Sequence, residues 1–161
     1  KKGNIIVIPA LTGLGAPHWE PNVRGGIFGL TRDTSVAEIV KATIDSIAYQ
    51  TLDLVNAMQK DSKIKINKIK VDGGMISNNN LIQSIANILD INILKPKNIE
   101  TTSLGVAYLT AISSGYLKDV KSIEKIWEIE KIFVSKISKK EVSKNIKNWK
   151  KAVKTLISLY S

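Results

Sequence analysis

The chain has 161 residues, with 24 Lys+Arg against 14 Asp+Glu for a formal net charge of +10, and 43% of its residues are hydrophobic. That length and apolar content fit one soluble domain with a core of its own, and no run approaches the roughly 18 consecutive apolar residues of a membrane-spanning helix. The absence of Cys and the presence of a single His exclude disulfides, Cys-ligated zinc, iron–sulfur clusters, a thiolate nucleophile and any metal site built on two imidazoles.

Residues 5–9 form a short apolar run that stops in a Gly/Pro loop from Thr12 to Pro21, and residues 25–30 read as a second short strand. Ser35 with Glu38 three residues later makes a capping box. It opens a long helical pattern through Val36, Ile39, Val40, Ile44, Ile47, Ala48, Leu52, Val55 and Met58, predicted to end near Lys60. Residues 66–71 are strand-like, Asp72-Gly73-Gly74 forms a turn, and residues 79–89 read as a helix with Leu81, Ile82, Ile85 and Ile88 inward. Residues 91–94 resemble the next strand, closed off by Pro96. A helix follows over 102–114, whose small residues Gly105, Ala107 and Ala111 would let backbones approach closely, with Gly115 as its C-terminal cap. Beyond it we expect a short helix over 123–129, a short strand over 132–134 and an amphipathic helix over 138–158. That last helix carries Val142, Ile146, Trp149, Val153, Ile157 and Tyr160 on one face, with Lys140, Lys144, Lys147, Lys151 and Lys154 opposite. Alternating strands and helices predict an α/β layer. No repeat or low-complexity linker divides residues 1–161, which we read as one unit.

The positive charge needs no partner. Lys outnumbers Arg 22 to 2, and Ile and Asn are plentiful, as in proteins encoded by A/T-rich genes. Residues 136–154 hold eight Lys and one Glu. A basic module for nucleic acid or anionic lipid would bind with steep salt dependence, but a surface helix with its stripe buried and its lysines in water explains the same pattern. We expect neither a nucleic acid nor a membrane partner. The first residue is Lys1 rather than Met, and residues 1–8 are too short and polar for a secretory signal. Polypeptide upstream is therefore expected, and the cytoplasm is the expected compartment.

The Asp72-Gly73-Gly74 turn is the segment most able to carry chemistry. Paired glycines at the carboxyl end of a strand let backbone approach a ligand without a Cβ between them, and ligands of open α/β sheets gather at that edge. Turn N–H groups and the positive end of the following helix suit a phosphate, and the Asn78 amide can both donate to and accept from a purine edge or a ribose. The same residues also make an ordinary tight turn. His18 has no Ser, Cys or carboxylate beside it in a recognisable relay, so a packed loop histidine is the simpler reading. Asp45 and Asp53 lie two turns apart among core positions, where ion pairing is the usual role. Glu100 reads as favourable charge at a helix N-terminus, and the Gly-x4-Gly-Lys-Ser/Thr phosphate loop is absent.

Taken together, several of these segments resemble one family. They are the run from Thr12 to Trp19, the stretch from Gly25 to Arg32, the helix segment from Glu38 to Gln50, Val71-Asp72-Gly73-Gly74 with Asn78-Asn79, Ser103 to Leu109, and Asn148 to Lys154. They are similar to the glycerol kinases, and the Gly25 to Asp45 spacing fits a signature of the wider FGGY carbohydrate kinases, which include xylulokinase and gluconokinase. The resemblance covers essentially the whole chain. It implies one half of an actin-like, ribonuclease H-like ATPase fold, the C-terminal ATP-binding domain of such a kinase. It further implies ATP with Mg²⁺ as cofactors, Gly74 against the phosphates and ribose, Asn78 against the adenosine part and Gly73 permitting the close approach. Glycerol would be met by a missing N-terminal domain that holds the general base and the acceptor pocket, and a homo-oligomer is compatible with it. No catalytic or metal-ligating residue is assigned in this chain, which alone is expected to be inactive. The alternatives are a non-catalytic remnant of a decayed kinase gene, or another kinase of the same family such as a xylulokinase.

Overall fold

A computed structural model describes residues 5–161; the first four residues, on which the reading of Lys1 as an internal start rests, lie outside the described residues. Strand β1 (Ile6–Ile8) pairs antiparallel with β2 (Gly26–Phe28), placing Ile8 opposite Gly26. The loop between them is pinned by reciprocal Leu14 and Glu20 backbone bonds of 2.9 Å. Helix α1 (Val36–Ser62) starts at the predicted capping box, in which the Ser35 N–H donates to Glu38 Oε2 at 2.9 Å and Ser35 Oγ accepts from the Glu38 N–H. It runs two residues past the expected end and stops where Lys63 turns left-handed.

Strand β3 (Lys68–Lys70), a 3₁₀ turn (Gly74–Ser77) and helix α2 (Asn79–Leu89) follow, then β4 (Asn92–Pro96) and α3 (Thr101–Ser113). Helix α4 (Val120–Ile126), strand β5 (Ile129–Phe133) and helix α5 (Lys139–Ile157) complete the chain. The larger sheet has the order β3-β4-β5, with β3 parallel to β4 and β5 antiparallel to β4. This is the expected α/β layer.

Helix α2 packs on β4 and β5 of that sheet and α1 packs on α2, and their apolar sides join Ile93 and Phe133 in a core that includes Leu52, Ile82 and Ile85. A second core lies under α5, where Trp149, Val153 and Leu156 close over Ile8 and Val23. Tyr49 on α1 touches both cores, its ring stacked on Trp149 with centroids 5.1 Å apart. Among the described residues no helix is long and apolar enough to cross a membrane.

Several expectations are corrected. Pro96 does not close β4 but is its last residue, at a β-bulge, where a missing N–H costs no ladder bond. Helix α4 begins three residues early because the Asp119 carboxylate accepts from the Ser122 N–H at 2.9 Å, and pairing with β4 draws Ile129 into β5 instead of a helix. At the ends of α1, Val36 and Met58 are exposed because the apolar stripe outruns the elements packed on it. Tyr160 lies past the end of α5 and is also exposed, while Ala152 and Leu156 join the buried face. Gly115, with φ +77°, stands one residue beyond the cap Ser114. Helix α3 buries none of its residues, and nothing lies within 4 Å of a Cβ built on Gly105. Among the described residues no element makes the close approach that its small residues permit.

Candidate functional site

The glycine turn grows directly from the sheet. Past β3, the Val71 N–H still donates to the Leu94 carbonyl at 3.2 Å, so the chain leaves the strand in register with β4. Asp72 then accepts from the Thr101 hydroxyl at 2.7 Å, and the Gly73 N–H donates to the Ile99 carbonyl at 3.3 Å. These bonds tie the start of α3 to the turn. Gly73 has φ +85° and ψ 170°, a conformation essentially reserved for glycine. From Gly74 the backbone winds through the 3₁₀ turn, with Ile76 buried beneath it and Met75 exposed. Asn78 caps α2, its Oδ1 accepting from the Asn80 and Leu81 N–H groups at 3.0 and 3.3 Å.

Gly73, Gly74 and Asn78 therefore form one continuous shelf at the carboxyl end of β3. A Cβ built on Gly73 or on Gly74 meets no atom within 4 Å. For Gly73 the left-handed backbone explains the residue type. Gly74 has no positive φ and no neighbour to avoid, so nothing among the described residues asks for glycine there. A surface that must be approached closely from outside would.

The shelf is a narrower donor set than the sequence suggests. Because the Asn78 carbonyl oxygen is engaged as the cap of α2, its amide can offer only its NH₂ group to a ligand; the acceptor half of the expected contact is withdrawn. The N–H groups of Gly73, Ile76 and Asn78 are engaged by backbone carbonyls. What the shelf presents outward is its open glycine backbone, the Asn78 NH₂ and the positive end of α2.

The other candidates resolve into structure. His18 lies 3.4 Å from Asp53, a residue 35 positions on, and Asp53 also accepts from the Trp149 indole N–H at 2.7 Å. The carboxylate is buried and joins the His18 loop, α1 and α5. A cleft of about 770 Å³ opens beside it, between the loop and the two helices. Asp45 faces α2 instead, accepting from the Ser84 hydroxyl at 2.6 Å and pairing with Lys41, so the two carboxylates serve different contacts. Burial and the nearby Asp45 charge push the Tyr49 phenol up to about 12. Glu100 occupies the N-cap position of α3 and makes no side-chain cap bond. Among the described residues no three His, Asp or Glu side chains cluster as a metal site.

Two residues near the shelf were not anticipated, Thr101 and Lys95. Lys95 is 7% exposed and contacts Glu130 on β5 and Asn79 at the start of α2. The signal for it was present, since Lys95 follows Ile91 and Ile93 at the alternation of a strand.

Known proteins share this sequence and fold. The model of the FGGY family of carbohydrate kinases, C-terminal domain, matches residues 1–114. Glycerol kinase from Malacoplasma penetrans is 49% identical over 151 residues, covering 94% of this chain and 30% of that protein. Glycerol kinase from Streptococcus sanguinis is 47% identical over 150 residues, again covering 30% of its length. Among solved structures, Plasmodium falciparum glycerol kinase with ADP superposes with a TM-score of 0.87 at 30% identity, over 97% of this chain and 31% of that one. Gluconate kinase from Lactobacillus acidophilus gives 0.80 at 26% identity, over 98% and 32%. The chain thus spans about three-tenths of the length of these kinases. With the strand, glycine turn and capped helix in the segment that the family model matches, the chain belongs to the FGGY family of carbohydrate kinases, as its C-terminal portion.

Proposed function

We propose that residues 1–161 act as one ATP-binding unit of a cytoplasmic glycerol kinase, transferring the γ-phosphoryl group of ATP to glycerol to give glycerol 3-phosphate and ADP. The observation that carries this reading is the open face of Gly74, a glycine required neither by its backbone nor by its neighbours. Support comes from the Plasmodium glycerol kinase of similar structure, which was solved with ADP. In this reading Gly73 and Gly74 let the nucleotide rest against backbone, and the Asn78 NH₂ donates to its adenosine part. Mg²⁺ supplies charge neutralisation on the phosphates when bound, held by them and by groups of the preceding polypeptide. That polypeptide also brings the general base and the glycerol pocket, so this chain alone holds one wall of the cleft. Phosphoryl transfer depends on positioning by both walls.

Mixing this chain with the preceding part of a glycerol kinase should restore ATP- and glycerol-dependent turnover in a coupled assay, whereas the chain alone should show none. In the complete enzyme Gly74→Val should raise the nucleotide KM at least about tenfold, or ~1.4 kcal/mol, because its branched side chain stands where the nucleotide rests. Unchanged KM in that variant, or turnover by the isolated chain, would overturn the assignment.

A further inference from the structure

Lys95 occupies a position where the sheet elsewhere places core residues. It follows Ile93 by two along β4, and Ile93 lies opposite Phe133 within the core that α1 and α2 cover. A lysine at such a register is unfavourable to bury unless its ammonium is paired and hydrogen-bonded. Here the residue is 7% exposed, with Nζ 3.0 Å from Glu130 Oε2 and 3.5 Å from Asn79 Oδ1.

The partner is placed there by an irregularity of the sheet. Lys95 pairs with Lys131 and Pro96 with Ile129, so Glu130 is the extra residue of a β-bulge. In regular pairing Glu130 would point to the face opposite Lys131. A bulge changes where the inserted residue points, and bulges are over-represented beside functional sites. The other contact, Asn79, is the first residue of α2 and directly follows the cap Asn78.

We infer that Lys95 is a positioning residue for the glycine shelf: its buried ammonium, held by the bulged Glu130, fixes the first turn of α2 and with it the cap Asn78 and the Gly73–Gly74 backbone. The inference rests on the reading of that shelf as the nucleotide site. Lys95 need not touch nucleotide. It couples β4 and β5 to the one helix end that presents the Asn78 amide.

The tie and its consequence for nucleotide are separately measurable. In the 161-residue chain, Lys95→Met should speed amide hydrogen exchange at Asn80, Leu81 and Ile82 about tenfold while leaving the Leu52 and Val55 amides of α1 unchanged. Glu130→Gln, at a half-exposed position, should give the same pattern more weakly. If Lys95→Met does not fold, the Glu130→Gln pattern decides; exchange unchanged at α2 in a folded variant overturns the inference. In the chain completed by the preceding kinase polypeptide, Lys95→Met should raise the nucleotide KM about tenfold with kcat within about twofold, and Lys95→Arg should restore it. Should kcat and KM stay at their original values while Gly74→Val raises KM, Lys95 has a structural role only and the inference is wrong. If Gly74→Val itself leaves KM unchanged, the nucleotide reading of the shelf fails, and the exchange pattern still reports whether Lys95 holds α2.

Discussion

The Asp53 cluster and the glycine shelf are opposites in how they account for their residues. At Asp53 the polar neighbours are supplied from within: the Trp149 indole and the His18 ring both reach one buried carboxylate, which ties together the elements that carry them. At Gly74 the described residues give no reason for glycine, neither a strained backbone nor an atom in the way of a Cβ. A group whose partners all lie inside the fold is explained by folding. A residue whose type has no internal explanation directs attention outward, and this separates structural features from candidate functional ones without reference to how reactive the side chains are.

The strongest way to break the comparison is at Trp149. It is 1% exposed, stacks on Tyr49 and donates to Asp53. Trp149→Ala should lower the unfolding free energy by about 3–5 kcal/mol in urea titration, the range for a buried aromatic cut to alanine. Trp149→Phe keeps most of the apolar contact but removes the indole donor, and should cost about 1–3 kcal/mol, the penalty of a buried acceptor that loses its partner. Equal losses in the two variants would mean that the hydrogen bond contributes more than the packing, and the description of this cluster as a packed joint would be wrong.

The paired glycines offer a sharper contrast, because the two neighbours should behave differently. Gly73→Ala places a Cβ on a residue at φ +85° and should destabilise the chain by about 1–3 kcal/mol. Gly74→Ala meets open space and should leave stability within about 0.5 kcal/mol, the range of ordinary surface substitutions. Thermal melts of both variants decide. A large loss at Gly74 would show that packing within the chain selects that glycine after all.

Much of this was legible in the sequence, and the exceptions have physical causes. Ser35 with Glu38, and the stripe of α5 from Val142 to Val153, are local signals, and the structure reproduces them. The turn at Gly73 was legible for the same reason, since a left-handed backbone is a demand one residue can show by itself. What could not be seen were contacts across long separations: Asp53 with Trp149, 96 residues apart, and Lys95 with Glu130, 35 apart. Ending β4 at Leu94 hid Lys95: the alternation of Ile91 and Ile93 reaches it, but the Glu130 that pairs its ammonium lies 35 residues on and becomes visible only with β5. The exposed α3 is the reverse case. Its small residues predict a close approach that the described residues do not make, because the spacing of small side chains does not say what meets them.

Tyr49 gives the smallest of the expected effects and tests where the two cores meet. Its phenol is raised from 10.0 to about 12, first by burial and then by the negative charge of Asp45. The folded state thus holds its proton through a pH range in which the unfolded chain releases it. Stability from this difference is fully present below pH 10 and falls as pH rises from 10 toward 12, since there the unfolded state binds fewer protons. Because Tyr49 is only partly buried, the decline is expected to be shallow. Tyr49→Phe keeps the ring against Trp149 and removes the titrating group, so its urea midpoint should fall less than that of the original chain between pH 9 and the onset of general alkaline unfolding. Parallel declines in the two proteins would place the phenol in water and loosen the stack that joins the core under α5 to the core beneath the glycine shelf.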